Sequence, residues 1–145
     1  MGLLARLLLG DGTLKPELVA ALRAEGLVRI DEGLPGSLRY TNFKAPGRRF
    51  HRKVSQERIG LGISERRVVA YCRSGRVKLA DSPYTSSAFD MLELRVQERR
   101  LEFHVDYDKG SDPRISGRIT IRMAAPDAGA VAAEIAERLR RARAG

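Results

Sequence analysis

The sequence predicts a mainly β protein: a strongly bent antiparallel sandwich or partly open barrel of about seven strands, with a short N-terminal helix and a C-terminal capping helix. Three observations carry this prediction. Apolar residues alternate with a period of two through most of residues 27–124, short turn sequences separate the alternating runs, and residues 125–144 change to helical spacing. Short strands that follow one another without helices between them are typical of antiparallel sheets.

The first periodic segment, KPELVAALRAEG, predicts a short helix. Pro16 suits the first helical position, and Gly26 suits the left-handed residue that follows a helix end. Leu18, Val19 and Leu22 share one face of this helix. The helix is therefore expected to pack that face on the rest of the domain.

The middle of the chain consists of short runs in which apolar residues alternate with polar ones. Turn signals interrupt them at LPG, APG, RSG, DSP and DKGSDP. Such runs predict an antiparallel meander. The runs are LVRIDEGL, SLRYTNF, RFHRKV, RIGLGIS, RRVVAYC, GRVKLA, MLELRVQ, RLEFHVDY and RISGRITIRM.

The C-terminal segment predicts an amphipathic helix that begins near Asp127. Val131, Ile135 and Leu139 follow one another at intervals of four residues and so share a stripe. This stripe has to be buried, and the open end of a bent sheet is the nearest apolar surface. The helix is therefore expected to close one end of the sheet.

The length of 145 residues predicts a single domain with its own core. Residues 27–145 are expected to form the β domain, and residues 1–26 an extension packed on it. The apolar run at residues 3–9 is far shorter than the ~20 residues of a membrane span, and no signal-peptide cleavage pattern follows it. It predicts a weakly amphipathic turn docked on the domain, or alternatively a segment that touches a membrane or a partner.

Positive charge is concentrated in one segment of the chain. Residues 39–78 contain twelve Lys or Arg residues against two Glu residues, a net charge of +10. The preceding 38 residues carry −1 and the following 67 residues carry 0, which together give the total of +9. A localised excess of this kind favours a positive face that attracts anionic partners.

The residues that most often perform catalysis or bind metals are few and scattered. Cys72 is the single cysteine, so no intramolecular disulfide forms and a reducing cytoplasm is the predicted compartment. His51 and His104 lie in alternating runs, and no carboxylate or thiol lies at a spacing that would make a local metal or nucleophile pair with either of them. We therefore predict a protein that is not an enzyme and that needs no metal or cofactor.

The densest basic group surrounds a Pro-Gly turn in KAPGRRFHRK. Backbone amides of a turn and several guanidinium groups together present many donors to an anion. Alternation places Arg52 on the side of Phe50 and Val54, with Lys53 opposite, so the same residues could instead form a solvated basic edge that blocks sheet pairing. The predicted anion- or partner-binding residues are Lys44, Arg48, Arg49, Arg52 and Lys53.

The segment GLGISERRVVAYCRSGRVKLADSPYTSSAFDMLELRV resembles the hallmark of bacterial pleckstrin-homology-like and GRAM-like domains. In that pattern a strand ends in Ser or Thr, a tight turn delivers an Arg, and an apolar strand follows. The matching residues here are Ser64 and Arg67, and SGRITIRM is similar to the family's final hairpin. The resemblance covers roughly residues 27–139. It implies that Arg67 braces the turn.

This resemblance implies a docking module for lipid head groups, peptides or sister subunits. The chain departs from the phosphoinositide-reading pattern, because Val54 stands where a second basic residue is required after Lys44 and Arg52. The preferred hypothesis is docking to an acidic protein segment or an anionic membrane surface, which would place the protein in the cytoplasm or peripherally at a membrane. The alternatives are a structural or self-associating homo-oligomeric domain and, ranked last, nonspecific nucleic-acid binding.

Overall fold

The structure is a computed structural model that describes residues 10–144, and the turn predicted at residues 3–9 lies outside them. Two short 3-10 helices, Ser87–Met91 and Tyr107–Lys109, connect strands in the second half of the chain. The helices and strands are α1 (Pro16–Ala24), β1 (Leu27–Ala45), β2 (Arg48–Ser64), β3 (Arg67–Cys72), β4 (Val77–Pro83), β5 (Leu92–Gln97), β6 (Arg100–Asp106), β7 (Ser116–Ala124) and α2 (Ala128–Ala144).

The seven strands form one open antiparallel sheet in the order β4-β3-β2-β1-β7-β6-β5. Strands that follow one another in the chain pair with each other, except for β4 and β5, which lie at opposite ends of the sheet. The predicted fold class, a mainly β domain of seven strands with a helix near each end, is confirmed.

The turn predicted at LPG is wrong, because β1 runs through it without interruption. A bulge interrupts the pairing of β1 with β2 between Asp31 and Leu34, and Gly33 adopts a left-handed φ of 70° there. Pro35 lies just before Gly36, the first residue of β1 that pairs with β7, so Pro35 precedes the stretch of β1 that has strands on both sides. These residues therefore bend a long strand instead of ending it.

The sheet curves until its two ends face each other. Leu79 on β4 and Leu92 on β5 line the same apolar cavity, although five strands separate them in the sheet order. Ile135 of α2 also lines this cavity, and Val131 and Ile135 are fully buried in the main core. The C-terminal helix therefore covers the open side between the sheet ends.

A smaller apolar cluster lies on the outer face of β2 and β3, under α1. Leu14 and Leu22 pack there against Val69. Glycines on β2 make room for them, since a Cβ atom added to Gly62 would lie 2.7 Å from Leu22 Cδ1. The cluster is a second apolar layer outside the main core, and it holds residues 10–24 against the sheet.

Candidate functional site

The five basic residues predicted as a binding site all lie on one hairpin, formed by the end of β1 and the beginning of β2. We call residues 39–54 the basic hairpin. Its strands pair as far as Ala45 with Arg48, and Gly47 closes the turn with a left-handed φ of 74°. Directly opposed pairs across the hairpin are Lys44 with Arg49, Thr41 with Arg52, and Tyr40 with Lys53.

The basic hairpin carries six cationic side chains and no acidic residue. Arg39 is the sixth; it pairs across the ladder with Val54 and was not predicted as a site residue. All six side chains are exposed, and none of them forms a salt bridge with any residue among 10–144. Their charge is thus not neutralised by an acidic partner within the described residues.

Four aromatic rings form a cluster near the turn of the hairpin. Phe50 lies 5.0 Å from Tyr40 and 6.3 Å from Phe43, and Phe43 lies 5.8 Å from Tyr107, between ring centroids. Tyr40 and Phe43 are three residues apart, so a regular strand would place them on opposite faces. Asn42, with a left-handed φ of 48°, interrupts the alternation and brings both rings against Phe50.

Two of the cations lie over these rings. The Lys53 ammonium is 4.3 Å from the centroid of Phe50 and 6.0 Å from that of Tyr40, and the Arg48 guanidinium is 5.9 Å from Phe50. The expectation that strict alternation separates Lys53 from Phe50 is therefore wrong at this twisted end of β2. The remaining cations of the hairpin make no such ring contact among the described residues.

The basic part of β2 also has a free edge. β3 pairs with β2 only at Ile59–Ile63, so before Glu57 the described strands leave β2 with β1 as its sole neighbour. Main-chain donors and acceptors on the other side of this stretch are open to a further strand. The cationic side chains of Arg48, Arg49, Arg52 and Lys53 therefore flank an unpaired strand edge.

Arg67 has a different environment, at the turn between β2 and β3. Its guanidinium donates to both carboxylate oxygens of Asp81, at 3.0 and 2.9 Å, and to Glu25. The Ser64 hydroxyl accepts hydrogen bonds from the backbone N–H groups of Arg66 and Arg67. The hydrogen bonds that Arg67 donates to Glu25 raise the pKa of the Arg67 guanidinium above its ordinary value, against the opposing effect of burial. Arg67 thus links the end of α1, the β2–β3 turn and β4.

The His104 side chain has a carboxylate partner that the sequence analysis did not predict. His104 Nε2 lies 2.7 Å from Glu102 Oε1, and Arg100 and Arg122 approach the other oxygen of Glu102 at 3.0 and 3.5 Å. Residues two apart on a strand share a face, so the spacing itself could have indicated the His104–Glu102 pair. Three basic side chains therefore surround this buried carboxylate.

Other reactive groups are buried or isolated. Cys72 is 1% exposed, and burial raises the pKa of its thiol to about 12, so the thiol stays protonated at neutral pH. His51 lies exposed on the basic hairpin. Within residues 10–144, no group of three His, Cys, Asp or Glu side chains is arranged to hold a metal ion.

No helix in the described part of the chain is long and apolar enough to cross a membrane. No family model matches the chain, and no curated protein matches its sequence. Function must therefore be inferred from the geometry of the site.

Proposed function

We propose that this protein is a non-catalytic binding module of the pleckstrin-homology-like type, which docks an acidic protein segment on the basic hairpin in the cytoplasm. The observation that carries the proposal is the set of six exposed cations without acidic partners on one hairpin. A protein that leaves so many like charges adjacent raises the local concentration of anionic partners by electrostatic attraction. The buried, protonated Cys72 thiol and the ion-paired Glu102 support a role without catalysis.

The free edge of β2 favours a protein segment as the partner. An extended peptide can add to a sheet edge through main-chain hydrogen bonds, while its side chains meet those of the edge strand. Acidic side chains of such a peptide would face Arg49 and Arg52, which have no other partner among the described residues. Strand addition then supplies affinity, and charge supplies selectivity.

An anionic membrane surface is the second candidate partner. Pro46 at the turn and Val54, which is 54% exposed, add apolar surface beside the cations. Basic residues contribute roughly 1 kcal/mol each near an anionic leaflet. A hairpin of this composition would therefore bind such a leaflet in a salt-sensitive way.

Self-association is the alternative function, and it rests on different strands. Val77 on β4 and Val96 on β5 are 39% and 42% exposed, and these two strands form the ends of the sheet. Pairing of two basic hairpins would instead bring like charges together, which opposes it. Nucleic-acid binding ranks last, because Lys53 covers the Phe50 ring and Phe43 is 5% exposed, so these rings offer no stacking surface for bases.

Binding of a fluorescent polyglutamate peptide across a salt series tests the proposal. Replacement of Arg48, Arg49, Arg52 and Lys53 by Ser should weaken binding more than about tenfold, and binding by the unsubstituted protein should fall steeply as salt rises. The matched control replaces three Arg and one Lys elsewhere, namely Arg23, Arg66, Arg99 and Lys78, which are exposed and form no ion pair within residues 10–144. Equal loss in both variants would reject the hairpin as the site.

Two further measurements separate the partner classes. A peptide that is N-methylated at alternate residues keeps its charge but cannot add as a strand, so weaker binding of this peptide would support pairing with the β2 edge. Co-sedimentation with anionic and neutral vesicles tests the membrane alternative. Strong retention on anionic vesicles together with weak peptide binding would reverse the order of the two candidates.

A further inference from the structure

A second candidate site lies inside the bent sheet, and no residue of the basic hairpin lines it. It is an apolar cavity of about 200 Å³ between the two ends of the sheet and α2. Its lining side chains are apolar except for the hydroxyls of Ser82 and Tyr107. Representative lining residues are Leu79, Phe89, Leu94, Phe103, Ile121 and Ile135.

The size of the cavity limits what it can hold. An engineered apolar cavity of about 150 Å³ in another protein stays dry and binds benzene, so by proportion this one accommodates roughly eight non-hydrogen atoms. Pockets for cofactors and drug-sized ligands are usually about 300 Å³ or larger. The cavity is therefore suited to a small hydrocarbon group.

The lining also excludes charged ligands. No side chain that lines the cavity carries a formal charge. An ion placed there would lose its hydration without gaining a partner, which is strongly unfavourable. A hydrocarbon loses no hydrogen bonds and gains dispersion contacts with the lining side chains.

Met91 and Tyr107 lie where the cavity meets a neighbouring surface depression. Both line the cavity and also a neighbouring surface depression, which Lys109 and Ile115 help to form. Met91 belongs to the 3-10 helix Ser87–Met91 and lies against Gly110, since a Cβ atom on Gly110 would be 2.5 Å from its sulfur. A methionine side chain has three rotatable bonds and adapts readily, so its movement offers a route into the cavity.

We propose that the cavity binds a small uncharged hydrocarbon group, either a single substituted ring or the end of an alkyl chain, which enters past Met91. This binding does not rest on the proposed docking function and uses none of the basic hairpin. It gives the fold an apolar ligand site in addition to its positive face.

The test is a titration of the full chain with p-xylene and with a series of straight-chain alcohols, followed by methyl NMR. Saturable shifts are expected at Leu79, Ile121 and Ile135, and no shifts at the exposed Val54. If an alkyl chain is the natural occupant, affinity should rise with chain length and level off near about eight carbons. If a ring is preferred, p-xylene should bind more tightly than any of the alcohols.

Filling variants provide the decisive comparison. Ala88→Leu places extra methyl groups at the cavity wall, and Ala133→Leu adds the same groups to the exposed face of α2 as a control. Ala88→Leu should weaken binding of the better probe at least tenfold, and Ala133→Leu should leave it unchanged. Ala80→Leu, at another part of the wall, replaces Ala88→Leu if that variant does not fold. Unsaturable or absent shifts in the unsubstituted protein, or unchanged affinity in a folded filling variant, would overturn the proposal.

Discussion

The basic hairpin and the Arg67 cluster are both rich in arginine, yet they use it in opposite ways. Arg67 is 20% exposed and lies between the carboxylates of Glu25 and Asp81, which are 19% and 22% exposed. On the hairpin, Arg49 and Arg52 are exposed and have no acidic partner among residues 10–144. The comparison teaches that the surroundings of a cation, rather than its residue type, decide whether it is enclosed by carboxylates or left exposed to solvent.

The physical reason is the cost of removing charges from water. A half-buried guanidinium is stabilised only if carboxylates compensate its lost hydration, and three groups then become dependent on one another. An exposed guanidinium keeps its hydration and contributes little to the stability of the fold. Its charge remains available for a ligand.

The largest effect is expected at Arg67. Arg67→Met should lower the free energy of unfolding by about 2 to 3 kcal/mol, below the usual cost of breaking a fully buried pair because these groups retain some solvent contact. The loss arises because Glu25 and Asp81 stay half-buried without their partner. Urea unfolding followed by circular dichroism measures it.

Arg66→Met is the control for this prediction, since Arg66 is adjacent and exposed and its side chain forms no ion pair within the described residues. It should change stability by less than about 0.5 kcal/mol. Similar losses for the two variants would show that the turn is sensitive to any substitution and that the ion pairs at Arg67 carry no special role.

The same cluster predicts a pH dependence. Burial pushes the pKa of Glu25 upward, but hydrogen bonds from Arg67 and Ser64 outweigh it, so its pKa is below the ordinary 4.5. A carboxyl group with a depressed pKa stabilises the folded state above its unfolded pKa, and this contribution disappears as the pH falls through the folded value. The stability difference between the original protein and Arg67→Met should therefore be full at neutral pH and shrink below about pH 4.5.

Unfolding curves at a series of pH values between about 7 and 3 test this directly. Glu65 also has a lowered pKa, chiefly through a hydrogen bond from Arg138, and it contributes equally to both proteins. Comparing the two proteins therefore isolates the Arg67 cluster. A difference that stays constant with pH would mean that Glu25 does not depend on Arg67 for its ionisation.

The positions of the strands could be predicted from the sequence because alternation of apolar and polar residues is a local property. Features that depend on which residues pair across strands could not. LPG has the composition of a turn, and only the pairing of β1 with β2 shows that Gly33 forms a bulge within a strand. Glu25 and Arg67 are 42 residues apart, so their contact follows from the packing of α1. Arg39 belongs to the basic hairpin because it pairs with Val54 across the ladder. The apolar cavity forms where the two ends of the sheet face each other, so it too depends on the complete fold.

The smallest expected effect lies within the basic hairpin itself. Lys53 covers Phe50, so Lys53→Ser should lower the free energy of unfolding by about 0.5 to 1 kcal/mol, the usual size of an exposed cation–π contact. Arg49→Ser should have no measurable effect, or should stabilise slightly by reducing repulsion among like charges. Thermal unfolding at low salt resolves such differences, and added salt should remove the gain at Arg49 while preserving most of the loss at Lys53. If Arg49→Ser proved the more destabilising of the two, Arg49 would have a structural partner. Arg49 would then belong with Arg67 among the cations that stabilise the fold.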